Sequence, residues 1–179
     1  MLYMFFADGF EEVEAIATLD VLKRAKIDAR SVGVGGRHIK GSHGITVTCD
    51  MDTDEATFTG LEGVILPGGM PGTLNLLNSN AVCDAVRFCA SQGKLLSAIC
   101  AAPMILGKLG LLKGEEATCF PGFEKDLEGA VISDKYVVTS GNKITARGMG
   151  SAVRFGLEIV KYFKGEAAAK ELEVTLQIS

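Results

Sequence analysis

The stretch LLSAICAAPMILG, residues 95–107, decides how the fold is read. Leu95–Ile99 is an apolar run of the length of one buried strand, bounded before by Gly93 and Lys94. It ends at Cys100, with small residues at Ala98 and Ala102 on either side. Pro103 suits the first turn of a helix, where a missing N–H costs nothing, so a helix is expected from about Ala101 to Leu109. A strand that turns straight into a helix around a nucleophile, between small neighbours, has the logic of a nucleophile elbow. The turn is sharp, bulky neighbours would clash, and the side chain is held out above the sheet. The helix would aim its first amides at the sulfur and favour the thiolate, which is the reactive form. The competing reading is a core cysteine at a tight turn, and the local pattern leaves both open.

Outward from this point, short apolar runs alternate with helical patterns. Strands are expected at Leu2–Phe6, 28–34, Gly63–Leu66 and near 117–120, 131–133, 136–140 and 144–146, with a hairpin over 37–50 around a Gly-Ser-His-Gly turn. Helices are expected over 11–26, over 80–92 (capped by Asn78 or Ser79 and stopped by Gly93), over 151–163 and over 166–172. In the helix at 151–163, Val153, Leu157, Ile159, Val160 and Phe163 have the spacing of core residues. The alternation predicts an α/β domain over 1–179, a mostly parallel sheet with helices on both faces. Ligands of such sheets bind beyond the carboxyl ends of the strands. That directs attention to Ala7–Glu14, Pro67–Gly69, Cys100–Ala102 and Arg147–Gly148.

Bulk properties narrow the function. The chain of 179 residues is 47% hydrophobic, enough for a sizeable core, and its net charge of −4 offers no general attraction to nucleic acid or anionic membranes. No apolar run approaches the roughly 20 residues of a membrane span, and MLYMFF runs directly into ADGFEEVE as a first strand rather than a signal peptide. Five cysteines (49, 83, 89, 100 and 119) without a CxxC point to free thiols in a reducing, cytoplasmic setting. His38 and His43 have no cysteine spacing that suggests zinc, and GVGGRH lacks the spacing of a dinucleotide loop, so no metal and no organic cofactor are expected.

Two further stretches join Cys100. VILPGG (64–69) ends a strand in two glycines, which let backbone approach a ligand and offer N–H groups to a developing oxyanion. ADGFEEVEA (7–15) opens the first helix with Glu11, Glu12 and Glu14. Acidic residues are common there for dipole reasons, yet Glu14 shares the side of apolar Val21 and lies near the sheet's carboxyl edge.

Together ADGFEEVEA, VILPGG, SAICAAP and TARGMGSAVRFGLEIV resemble, in order and spacing and over essentially the whole chain, the ThiJ/PfpI superfamily. The similarity is greatest to the subgroup of the Parkinsonism-associated deglycase and its bacterial relatives. The resemblance implies a flavodoxin-like fold and a homodimer. It makes Cys100 the strained nucleophile and Glu14 the carboxyl bonded to it, with Gly69 and Ala101 giving oxyanion amides and Gly68 shaping their loop. Arg24 and His43 match positions near the pocket at the dimer interface of relatives, and Arg147 and Gly148 match the loop before the long C-terminal helix. Phe120 stands where some relatives carry a histidine near the thiol, and Ala101 where the protease-like branch has one, which argues against proteolysis.

Without a histidine, Glu14 is expected to be protonated and to donate to a thiolate. The implied chemistry is a cofactor-free glyoxalase or deglycase reaction on 2-oxoaldehydes or on their adducts with protein. The alternatives are an oxidative-stress sensor or chaperone whose Cys100 oxidises to the sulfinic acid, and a different lyase or hydratase on the same scaffold.

Overall fold

The computed structural model describes residues 1–178; Ser179, the last residue of the expected domain, lies outside them. In chain order the elements are β1 (Leu2–Phe6), α1 (Glu12–Arg24), β2 (Ala29–Gly33), β3 (His38–Lys40), β4 (Thr46–Thr48), β5 (Met51–Asp52), β6 (Gly63–Leu66), α2 (Gly72–Leu77) and α3 (Asn80–Ser91). There follow β7 (Leu95–Ile99), α4 (Pro103–Lys108), β8 (Glu116–Ala117), β9 (Val131–Ile132), β10 (Val137–Ser140), β11 (Lys143–Ala146), α5 (Ala152–Lys164) and α6 (Glu166–Thr175).

Seven strands form the central sheet in the order β10-β11-β7-β6-β1-β2-β5, all parallel except β10 against β11. The alternation of side chains along each central strand feeds two cores. From β1, Tyr3 and Phe5 join one cluster, while Leu2, Met4 and Phe6 join the other. From β7, Leu96 and Ala98 face the first side, and Leu95 and Ile99 the second. Because both faces are covered, these strands are apolar at nearly every position. α3 and α4 cover one face, and α1 and α5 the other, where Val21, Leu22, Phe155 and Ile159 are buried.

The expected strands at β1, β6 and β7 are present with the expected bounds, and the hairpin forms as β3 and β4. Ser79 caps α3, its hydroxyl accepting from the Val82 amide at 3.5 Å. Other expectations are corrected. The helix after Cys100 begins only at Pro103, because residues 100–102 are consumed by the turn. The strand expected over 117–120 is only the two-residue β8, and Cys119 lies outside it. Phe163 is exposed and Val153 half-buried, since α5 turns those positions away from the sheet. Among the described residues, no helix is long and apolar enough to cross a membrane.

Phe155 has no exposed surface and sits in the core beneath α5. Phe155→Ala is expected to lower stability by about 3–5 kcal/mol, read from the shift of the urea midpoint. A loss below about 1 kcal/mol would contradict this packing.

Candidate active site

Four segments distant in sequence meet at the carboxyl edge of the sheet. β7 ends at Cys100, whose φ of +65° lies in the left-handed region that a non-glycine residue rarely enters. The main chain holds it there from both sides. The Cys100 N–H donates to the Ala146 carbonyl at 2.8 Å, and the Cys100 carbonyl accepts from the Phe120 N–H at 2.8 Å. Such strain persists only where surrounding structure imposes it, and here it lifts the side chain off the strand as the elbow requires.

Gly68 lies against this elbow from the end of β6. A side chain there would put its first carbon 2.5 Å from the Cys100 Cβ and 2.7 Å from Glu14 Oε2, so only glycine fits. Gly69, at φ +89°, turns the loop, and a Cβ on it would strike the Glu11 amide. The amides of Gly69 and Ala101 face the sulfur and favour its anion, although burial outweighs them.

Glu14 reaches the same point from α1 and is 1% exposed. Its Oε2 accepts from the Gly68 N–H at 2.9 Å. Among the described residues Oε1 is buried without a hydrogen-bond partner. The Cys100 thiol and the Met149 amide face the carboxyl and favour its charged form, but neither makes a well-formed bond to Oε1. Burial dominates and raises the Glu14 pKa to about 7. Burial, followed by the charge on Glu14 and its hydrogen bond to the thiol, pushes the Cys100 thiol up to about 12. The expected low-pKa thiolate is therefore corrected: with Glu14 ionised, the proton stays on sulfur. The contribution of Glu14 disappears when the pair's single proton moves to the carboxyl, and the two groups titrate as a unit.

The three glutamates of the first turn play different parts. Glu11 accepts from the Glu14 amide at 2.7 Å and caps α1. Glu12, also buried, anchors the hairpin loop: its carboxylate accepts from the His43 N–H at 2.7 Å and lies 2.8 Å from His43 Nδ1. Burial alone would raise the Glu12 pKa, but these bonds outweigh it and hold it at about 2. His43 is drawn upward in return. This anchor is a feature that composition did not distinguish from Glu14. Ligand atoms of Glu11, Glu12 and His43 come within 4.8 Å of one another, although Glu12 is already occupied as the anchor.

The other predicted positions divide. Phe120, 48% exposed, and Gly148 adjoin the site: a Cβ on Gly148 would be 3.3 Å from the Phe120 ring and 3.8 Å from Glu14 Oε1. Arg147 precedes Gly148 and lines the same groove as Phe120. Arg24 is not brought to Cys100 in its own chain. It lies ten residues beyond Glu14 on α1, about 15 Å along the axis, and pairs with Asp20 at 2.6 Å. Both histidines are engaged elsewhere, His38 with Thr48 and His43 with Glu12, and among the described residues no cysteine–histidine dyad forms.

A flavodoxin-like sheet carrying a cysteine on a left-handed elbow, opposite a buried carboxyl, defines a class of α/β protein. Within that class the chain belongs to the DJ-1/PfpI family, whose model matches residues 1–162. It is 40% identical to Protein DJ-1alpha of Drosophila melanogaster over 93% of this chain and 78% of that one. It is 32% identical to the Deglycase PfpI of Pyrococcus furiosus over 88% of this chain and 96% of that one. Among solved structures, Drosophila melanogaster DJ-1beta superposes with a TM-score of 0.93 at 34% identity, over 99% of this chain and 97% of that one.

The two buried glutamates predict opposite pH dependences. Glu14 has its pKa raised from 4.5 to about 7, so its contribution to stability is full below pH 4.5 and is lost as pH rises through about 7. Glu12 is lowered to about 2, so its contribution is full above 4.5 and is lost as pH falls through about 2. Denaturant midpoints of wild type relative to Glu14→Gln should fall across the first window, and those relative to Glu12→Gln should fall with acid across the second. Parallel curves in either window would refute that assignment.

Proposed function

We propose that the chain is a deglycase-type enzyme that processes 2-oxoaldehydes, or their adducts on protein, at Cys100 with Glu14 as acid and base and without glutathione. The observation that carries this reading is the Glu14 Oε1 atom: a buried carboxyl oxygen with no hydrogen-bond partner among the described residues, beside the elbow thiol. A buried polar atom left unpaired costs stability, and a catalytic role is one reason such an atom is kept. The deglycase names of relatives supply the substrate class.

In the proposed sequence the sulfur attacks the aldehyde carbon of methylglyoxal while the pair's proton passes through Glu14 to the carbonyl oxygen, giving a hemithioacetal. The Gly69 and Ala101 amides hold the oxygen as its charge develops. Glu14, now a carboxylate, removes the proton from the same carbon. The released electron pair forms an enediolate, as the hydroxyl proton of the hemithioacetal passes to the former ketone oxygen. Glu14 returns the proton to the adjacent carbon, leaving a lactoyl thioester on Cys100, and water cleaves it to lactate and free thiol. One carbon is oxidised as its neighbour is reduced, so no external oxidant enters. On a hemithioacetal or aminocarbinol adduct, the same site would take up the aldehyde carbon and release the protein thiol or amine.

Purified protein with methylglyoxal and no glutathione should form lactate. Cys100→Ser should abolish it, and Glu14→Gln should lower it by about 100-fold or more. Wild-type kcat/KM should rise with pH through about 7, as the pair sheds its first proton, and Glu14→Gln should lack that limb. Lactate formation that survives Cys100→Ser would overturn the mechanism.

A second reading rests on Cys100 being the one cysteine of five that is not buried. Peroxide would then add two oxygens to Cys100 as a sulfinic acid, which a protonated Glu14 can hydrogen-bond. Mass addition at Cys100 without lactate formation selects this reading. We also propose a homodimer through α1 and the hairpin, supported by the exposed Val13, Ile16 and Ile45. Light scattering should give twice the chain mass, and Ile16→Glu should return the monomer. A monomeric wild type would refute it.

A further inference from the structure

We propose that the groove beside Cys100 is a carboxylate subsite, and that the preferred substrates are 2-oxoaldehydes carrying a distal carboxylate at the end of a short apolar spacer. The inference rests on the reading of Cys100 and Glu14 as a carbonyl site, and it names the part of the substrate that the thiol does not touch.

Continuity with the thiol comes from the main chain. Phe120 and Ala146 are the two residues whose backbones clamp Cys100, and Arg147 follows Ala146 directly. The Arg147 N–H donates to the Tyr136 carbonyl at 3.0 Å, which brings Tyr136 alongside. An open groove of about 930 Å³ starts here and is lined by Phe120, Tyr136, Arg147, Met149 and Arg154. Gly148 also lines it, where a Cβ would come 3.3 Å from the Phe120 ring and 3.8 Å from Glu14 Oε1. Phe120 and Met149 leave 48% and 55% of their surfaces exposed, an apolar lining for a spacer.

The charge pattern identifies what the far end receives. The chain has six arginines. Arg24, Arg30, Arg37 and Arg87 each pair with a carboxylate of their own neighbourhood. Arg147 and Arg154 have no carboxylate partner among the described residues, and both line this groove. Arg147 is also held in place: its guanidinium lies 5.8 Å from the Tyr136 ring centre and donates from one nitrogen to the Asp134 carbonyl at 3.3 Å. The remaining donors of that planar fork suit a carboxylate. The neighbouring groove along α5 and α6 makes the contrast. Arg154 lines it too, but there the lining includes Glu158, Glu166 and Glu173, with Lys161 and Lys170 sharing Glu166, so carboxylates already occupy that groove.

The test compares 4,5-dioxopentanoate, a 2-oxoaldehyde with a distal carboxylate, with methylglyoxal, which has none. The ratio of their kcat/KM values is read for the full chain, Arg147→Gln, Arg147→Lys and Arg154→Gln. Wild type should favour the charged substrate. Arg147→Gln should lower the ratio about ten-fold, mainly through KM, with partial recovery in Arg147→Lys and a smaller loss in Arg154→Gln. A ratio that stays constant, or a loss shared equally by both substrates, overturns the subsite and leaves Arg147 as a structural stack on Tyr136. If neither aldehyde is turned over, the carbonyl reading has failed and the groove is judged by protection of Cys100 from iodoacetamide. 4-Oxopentanoate should protect wild type but not Arg147→Gln, and 2-pentanone should protect neither. Equal protection by the acid and the ketone, or none by the acid, overturns the proposal.

Discussion

The burial of one carboxyl group, that of Glu14, at the carboxyl edge of a parallel sheet constrains everything near it. A charge with 1% exposure is costly unless donors meet it, and a neutral acid still needs its oxygens satisfied. Among the described residues the Gly68 N–H alone makes a well-formed bond to the carboxyl, at Oε2. For that amide to approach, residue 68 can have no side chain, and the strand before it must stop at Leu66. The same closeness brings the Cys100 Cβ against Gly68, which fixes where β7 must turn. One donor–acceptor contact of 2.9 Å thus ties α1, the end of β6 and the elbow together.

Proton placement follows from the same burial. Each group alone would be an ordinary acid of its kind. Brought together out of water, they hold one proton between them, and the amides of Gly69 and Ala101 bias the sulfur towards releasing it. Around this centre the α1 turn does two electrostatic jobs with neighbouring residues. Glu12 is kept ionised by the hairpin, and burial holds Glu14 protonated up to about pH 7. Two residues apart on a helix, they point about 200° apart, so one sequence motif supplies an anchor and an acid.

How legible was this in the sequence? The strands buried on both faces read directly, because Leu2–Phe6, Gly63–Leu66 and Leu95–Ile99 are apolar runs closed by turn residues or charges. The elbow read as well, from the small neighbours of Cys100 and from Pro103. α2 was missed because it opens on Pro71 and Gly72, which signal a turn when their neighbours in space are unknown. β5, at two residues, lacks enough length to show alternation. Glu12 and Glu14 looked alike because their difference is made by a hairpin some thirty residues later. The thiol's direction of shift was misjudged for a related reason: helix amides are visible in a local pattern, whereas the depth of burial is a property of the whole assembly.

The elbow at residue 100 is held by two main-chain bonds, from the Phe120 N–H and to the Ala146 carbonyl, and by no contact that requires sulfur. The scaffold therefore specifies a position and a backbone angle, and leaves the identity of the side chain open. At a φ of +65° a β-branched side chain is excluded, which rules out threonine, whereas cysteine, serine and aspartate remain sterically admissible. A sheet built this way can present a different side chain at its edge by a single replacement, with its architecture and the buried carboxyl opposite left in place.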